Sequence, residues 1–460
     1  MGLSLTELLV EYLRSPLGLD EKAPRFSWQL SSDKKDTLQT AVEIRVREAK
    51  TEEEVWDSGL LSTDVSTGIT YEGKALKPCT AYVVQVEVTD NYGRKAVAET
   101  VFETGFLKKD KSVWEGADWI GAPDFHVAAN ARGVFVLEST FRMKEGSKRA
   151  GVVFGANDFR LLDHNQNEYG LEGENYIRYE INRAGETPVL DIYRVGYAKD
   201  DKKDVPFATV ELDKNVNFDE FHCLKIVVDG DKAFTYLDEK PVDVPETAMG
   251  PMKISGRVLN PRGHNDVLTY PRLNEIGFFA GEGDTAYFKD LTVKNLRTPG
   301  RTFVEETPEK VSSIFAELPK EEGCFAVSGT QITKDPSRGA IPMLRSNIPV
   351  RKDAALQRAR LYVTARGIYD VHVNGARITE NLLAPGLTQY DRRMNYQAYD
   401  LTGILKPGNN GIGVALGSGW WCDAQTFVVK NYNYFGDKEA LLAKIVLEFA
   451  DGDREVYTTN

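Results

Sequence analysis

The run from 359 to 373, ARLYVTARGIYDVHV, alternates with a period of two. Leu361, Val363 and Ala365 share one side, with Tyr362 and Thr364 opposite; after Gly367, Tyr369, Val371 and Val373 alternate against Asp370 and His372. Successive side chains of a strand point to opposite faces, so this pattern, rich in β-branched and aromatic residues, predicts half-buried strands. Asn374-Gly375 follows at once and reads as a two-residue hairpin turn, because both residues tolerate φ > 0. No stretch of the chain sustains amphipathic helical periodicity over about 12–15 residues. The fold class is therefore all-β.

Turn signals divide the 460 residues into three successive β-sandwich modules. Residues 1–107 hold about seven short strands, the spacing of an immunoglobulin-like or fibronectin type III sandwich. Its strand Thr80-Ala81-Tyr82-Val83-Val84-Gln85-Val86 carries a tyrosine, and Trp28 and Trp56 read as inter-sheet core. Residues 108–300 open with a charged linker, Lys108-Lys109-Asp110-Lys111, and contain a hairpin predicted around Asp229-Gly230-Asp231. Their strand order resembles concanavalin-like (laminin G-like) jelly rolls. Residues 301–460 begin with a polar, proline-containing linker to about residue 345 and continue into the third sandwich.

Formal net charge is −12 and the sequence pI about 5.2, which argues against duplex nucleic acid or an anionic membrane as partner. The four cysteines, Cys79, Cys223, Cys324 and Cys422, form no CxxC pair and fit buried thiols. No apolar run approaches the roughly 18 residues that span a bilayer. Met1-Gly2 reads as replacing a removed secretory signal, which would make the location periplasmic or extracellular.

Several phrases, in one order, resemble the N-terminal accessory region of bacterial α-L-rhamnosidases: Leu383-Ala384-Pro385-Gly386, Thr388 with Tyr390, Tyr396 with Gln397, Tyr399-Asp400, and Leu416-Gly417 before Gly419-Trp420. Glu11-Tyr12-Leu13, Pro16-Leu17-Gly18, Pro24-Arg25-Phe26-Ser27-Trp28 and Trp119-Ile120-Gly121 extend the resemblance forward. The resemblance implies hydrolysis of terminal α-L-rhamnosyl residues, performed in a C-terminal (α/α)6 barrel that this sequence lacks. The partners implied are a rhamnose-containing glycan or glycoside and that barrel; no cofactor is implied. The third sandwich would then be C-terminally incomplete and the chain non-catalytic. The alternative is a stand-alone multi-domain carbohydrate-binding or adhesion protein.

The best candidate carbohydrate site is Trp420 and Trp421 with Asp423 and Gln425, and Arg392 and Tyr396 on a neighbouring loop. An indole face stacks on the apolar side of a sugar, while carboxylate and amide groups meet its hydroxyls. The alternative, which the residue types favour, is that one tryptophan fills the jelly-roll core and the other packs against the barrel. Inverting glycoside hydrolysis needs two carboxylates about 6.5–9.5 Å apart, one with a raised pKa. Glu172 and Glu174 form a loop pair too exposed for that, so no catalytic residue is assigned. The histidines (His126, His164, His222, His264, His372) are scattered, and Asp284 and Asp290 fit turns as well as a calcium ion, so no metal is assigned.

Overall fold

The computed structural model describes residues 2–121, 134–170, 173–245, 247–249, 252–254, 256–260, 272–296, 302–310, 317–332, 341–422, 435–436 and 438–460. Nearly every element is a β-strand, in sheets that pair face to face around three hydrophobic cores. Among the described residues the exceptions are a one-turn 3-10 helix at Lys111–Trp114 and a short helical segment from Phe159.

The first body packs a three-stranded sheet (Ser4–Val10, Arg25–Ser31, Ile69–Thr70) on a four-stranded one (Glu54–Asp57, Gln39–Glu48, Ala81–Asp90, Lys95–Glu103). Alternation decides which side chains enter: Tyr82, Val84, Val86 and Val88 of one strand are all buried. Trp28 is core, as expected, and its indole N–H donates to Gln39 Oε1 at 2.9 Å.

The middle body encloses the largest core. A six-stranded sheet runs in the order Ala208–Glu211, Val189–Val195, Tyr176–Asn182, Arg149–Ala156, Glu275–Ala280, Thr330–Ile332. The facing sheet is built on Val134–Met143, which pairs with His222–Asp229, Ala286–Phe288 and Leu291–Asn295. The hairpin closes as predicted, with Asp229 opposite Lys232 around Gly230-Asp231. One expectation fails. Residues 302–332, read as linker and third module, supply strands to both sheets of this body: Thr302–Glu306 pairs with Leu291–Asn295, Cys324–Val327 with Ala286–Phe288, and Thr330–Ile332 with Glu275–Ala280. The strand Cys324–Val327 is buried at all four positions, so it shows no alternation to read.

The third body packs Met343–Val350, Gly408–Gly417, Ile368–Val373 and Ala376–Arg377 against Gln397–Asp400, Leu356–Arg366, Ala440–Phe449 and Arg454–Thr458. The Asn374-Gly375 turn forms with both residues at positive φ, 52° and 83°, between the paired Val373 and Ala376. Leu361, Val363 and Ala365 face the core as expected. The opposite side of this strand, expected to be solvated, is also buried: Tyr362 is 1% and Thr364 4% exposed. The cause is tertiary, since that face carries the joint with the first body.

Candidate functional site

Two arrangements stand out, one at the joint between the first and third bodies and one at an end of the third sandwich. At the joint, the outward residues of Leu356–Arg366 meet the end of Lys95–Glu103. Glu103, 4% exposed, receives Arg360 Nε at 2.9 Å, the Arg358 guanidinium and, at 3.4 Å, the Tyr362 hydroxyl. Arg358 also donates to Glu448 at 3.1 Å, and Arg360 to Asp400 at 2.7 Å. Beside them Phe106 stacks on Tyr396 with ring centroids 4.4 Å apart.

The linker turn locks onto the same sheet. Lys444, 3% exposed, donates to Val113 O at 2.6 Å and Glu115 Oε1 at 2.8 Å, with its ammonium 4.8 Å from the Phe106 ring centre. Arg454 grips Glu115 with both terminal nitrogens, at 2.7 and 2.9 Å. Hydrogen bonding from Arg454, then from Lys444, pulls the Glu115 carboxyl down to about 2 from an ordinary 4.5, against the opposing effect of burial. A depressed carboxylate contributes stability above its unfolded pKa and loses it as pH falls through the folded value. Wild-type protein is therefore expected to lose more stability between about pH 4.5 and 2 than Glu115→Gln. Urea midpoints across that window check this, and parallel curves for the two proteins contradict it.

At the end of the third sandwich, Gly417-Ser418-Gly419-Trp420-Trp421 turns out of its strand. Gly419 has φ +55°, and a Cβ there would lie 2.8 Å from Ile368 Cγ2, so the turn needs glycine. Trp421 meets Tyr390 edge-on at 5.6 Å and lies near-parallel to Phe435 at 6.4 Å. The Arg366 guanidinium is 5.3 Å from its ring centre and 4.6 Å from that of Trp119. Gly436 presses on the indole, where a Cβ would come within 2.2 Å of Nε1. Trp421 is thus engaged in packing, and Trp420 beside it is half-buried.

The other sequence candidates disperse. Arg392 is exposed, 3.8 Å from the neighbouring Asp391 carboxylate. Tyr396 belongs to the joint rather than to the tryptophan cluster. Its hydroxyl accepts the Phe106 N–H at 2.8 Å, and burial pushes its phenol pKa up. Asp423 and Gln425 lie outside the described residues. Sequence reasoning missed the joint, although its signal was there: Arg358, Arg360 and Tyr362 recur at every second position of one strand.

Comparison with known proteins finds two matching family domains. Residues 354–460 match the α-L-rhamnosidase N-terminal domain, and residues 5–108 match the Rha78A-like N-terminal immunoglobulin domain. Both matched segments are thus similar to domains of the N-terminal region of α-L-rhamnosidases. An α-L-rhamnosidase of Streptomyces avermitilis is 28% identical over 467 residues, which cover 100% of this chain and 40% of that protein. One from Formosa agariphila is 32% identical over 113 residues, 24% of this chain and 12% of the relative. The crystal structure of the S. avermitilis enzyme complexed with L-rhamnose superposes with a TM-score of 0.52 at 23% identity, covering 100% of this chain and 40% of that one. It shows a shared fold. The chain thus spans about 40% of the length of that relative and less of the other.

The remaining polar candidates have ordinary structural work. Asp284 accepts the backbone N–H groups of Lys148 and Arg149 at 2.8 and 3.0 Å, and Asp290 that of Thr140 at 2.7 Å. Glu174 pairs with Lys203 at 3.2 Å on the surface, and Glu172 lies outside the described residues. His222 bonds Asp238 at 2.6 Å, and His372 lies 3.4 Å from Asp370. His126 and His264 are outside the described residues. Among the described residues no three His, Cys, Asp or Glu side chains converge as metal ligands.

Proposed function

We propose that this chain is the non-catalytic front of an α-L-rhamnosidase acting on terminal α-L-rhamnosyl residues, and that it seats and orients a C-terminal catalytic domain. The observation that carries the reading is an exposed apolar end on the third sandwich. Leu416 N–H bonds Pro342 O, Tyr369 pairs with Leu416, and Tyr369 N–H bonds Ala384 O, so these segments lie side by side. Around that row Ile341, Met343, Leu382, Leu383 and Leu387 are 54–78% exposed. Large exposed apolar side chains grouped at one end of a sandwich mark an interaction surface. The tryptophan turn leaves the sandwich at the same end, since Tyr390, which meets Trp421, bonds Gly386 O at 3.0 Å. Trp420 and Arg392 would then border whatever sugar the seated domain holds, while Trp421 stiffens the turn beneath. The joint at Glu103 supports this role, because it fixes the first body to the same sandwich.

The test is a rhamnosidase assay. The purified 460-residue chain is expected to release no rhamnose from an aryl α-L-rhamnoside. In the whole enzyme, Leu383→Asp with Met343→Asp is expected to lower activity and thermal stability together. Turnover by the 460-residue chain alone, or a whole enzyme indifferent to both charges, would overturn the reading.

A further inference from the structure

The joint contains a cavity of about 400 Å³, walled by the first body, the Lys111–Trp114 turn and the third sandwich. We propose that it binds a sugar acid, a monosaccharide-sized molecule carrying a carboxylate. The inference goes beyond the glycosidase reading and does not depend on which bond the family cleaves.

Charge is the first argument. The protein carries a net −12, yet Lys108, Arg358, Lys444 and Arg454 line this cavity against only two carboxylates, Glu115 and Glu448. Even with Arg358 shared by Glu103, cations outnumber acids on the wall. Donor capacity points the same way. An ammonium offers three N–H donors and a guanidinium five. Lys444 is held by Val113 O and Glu115, and Arg454 by Glu115 alone of the two wall carboxylates. A carboxylate entering here meets donors already fixed by their partners, so little side-chain ordering remains to be done on binding.

Size and lining narrow the class. The volume falls at the small end of ligand sites, about 300–1,000 Å³, and far exceeds a bare sulfate or phosphate. Thr80 and Ser112 also line the cavity; their hydroxyls donate to Pro78 O and Asp110 and keep acceptor capacity that suits a polyol, whereas a neutral sugar would leave the cationic surplus unused. A ligand held here touches both bodies, so by mass action it stabilises their packing.

The test uses the 460-residue protein, thermal unfolding and titration calorimetry. Millimolar D-galacturonate is expected to raise the unfolding midpoint and give a saturable heat. L-rhamnose, and sulfate at matched ionic strength, are expected to do neither. Lys108→Ala, at the exposed rim, and Arg454→Gln are each expected to weaken galacturonate binding, the latter about tenfold. Lys108→Ala keeps the Glu115 contacts, so its ligand-free midpoint should match wild type. The proposal is overturned by no heat and no shift, by an equal response to sulfate (an adventitious ion only), by an equal response to rhamnose, or by wild-type affinity in both variants.

Discussion

Glu103→Leu is expected to destabilise the protein by about 3 kcal/mol, read from urea unfolding at neutral pH. The carboxylate is buried and bonded to Arg358, Arg360 and Tyr362. Removing one partner of a buried ion pair costs about 3–5 kcal/mol, because the other charge is left uncompensated. The lower end applies, since Arg358 keeps Glu448 and Arg360 keeps Asp400. A surface pair would cost at most about 1 kcal/mol, so the measurement separates the two cases. A double-mutant cycle with Arg360→Met should show a coupling above about 1 kcal/mol. A single-mutant effect within about 0.5 kcal/mol would mean that the joint is open to water and the two bodies are not fixed.

Phe325→Ala should be costlier, about 3–5 kcal/mol, with the loss confined to the middle body. Phe325 is fully buried, with its ring 5.6 Å from that of Phe278, which in turn lies 4.4 Å from Phe288. Truncation leaves a cavity that the surrounding rings cannot close. The substitution also bears on where the middle body ends. Were residues 302–332 a linker, it would be nearly silent, like exposed Glu309→Ala, expected within about 0.5 kcal/mol of wild type. Hydrogen exchange that stays unchanged across Glu275–Ala280 in Phe325→Ala would remove this stretch from the core.

The two outcomes correspond to two ways in which a sequence hides its structure. Phe325 lies in Cys324–Val327, where both strand faces are covered and alternation vanishes. Four apolar residues without a period are as consistent with a linker anchor as with a central strand. Glu103 presents the opposite problem. It ends a strand of otherwise regular pattern and looks solvated, until a strand some 255 positions later brings two arginines to it.

The candidate carbohydrate site shows the same limit. The glycines and paired tryptophans correctly mark a turn that leaves the sheet. They do not show that Arg366, Tyr390, Phe435 and Gly436 converge on Trp421, because those residues arrive from separate segments. Tyr396, placed by proximity in sequence beside Arg392, is drawn instead to Phe106, nearly 300 residues away along the chain.

By itself the sequence determined that the chain is strands, where the 374–375 and 230–231 hairpins turn, and, through ordered phrases, its resemblance to the N-terminal region of α-L-rhamnosidases. Those properties are written in spacings of two to about ten residues, which local sterics and side-chain alternation enforce without reference to the rest of the molecule. Tertiary structure decided which polar faces are buried, that 302–332 completes the middle core, and that Lys444, Glu115 and Glu103 form a joint. A charge is buried only when a partner from elsewhere compensates its desolvation, and that partner's position is a property of the folded chain.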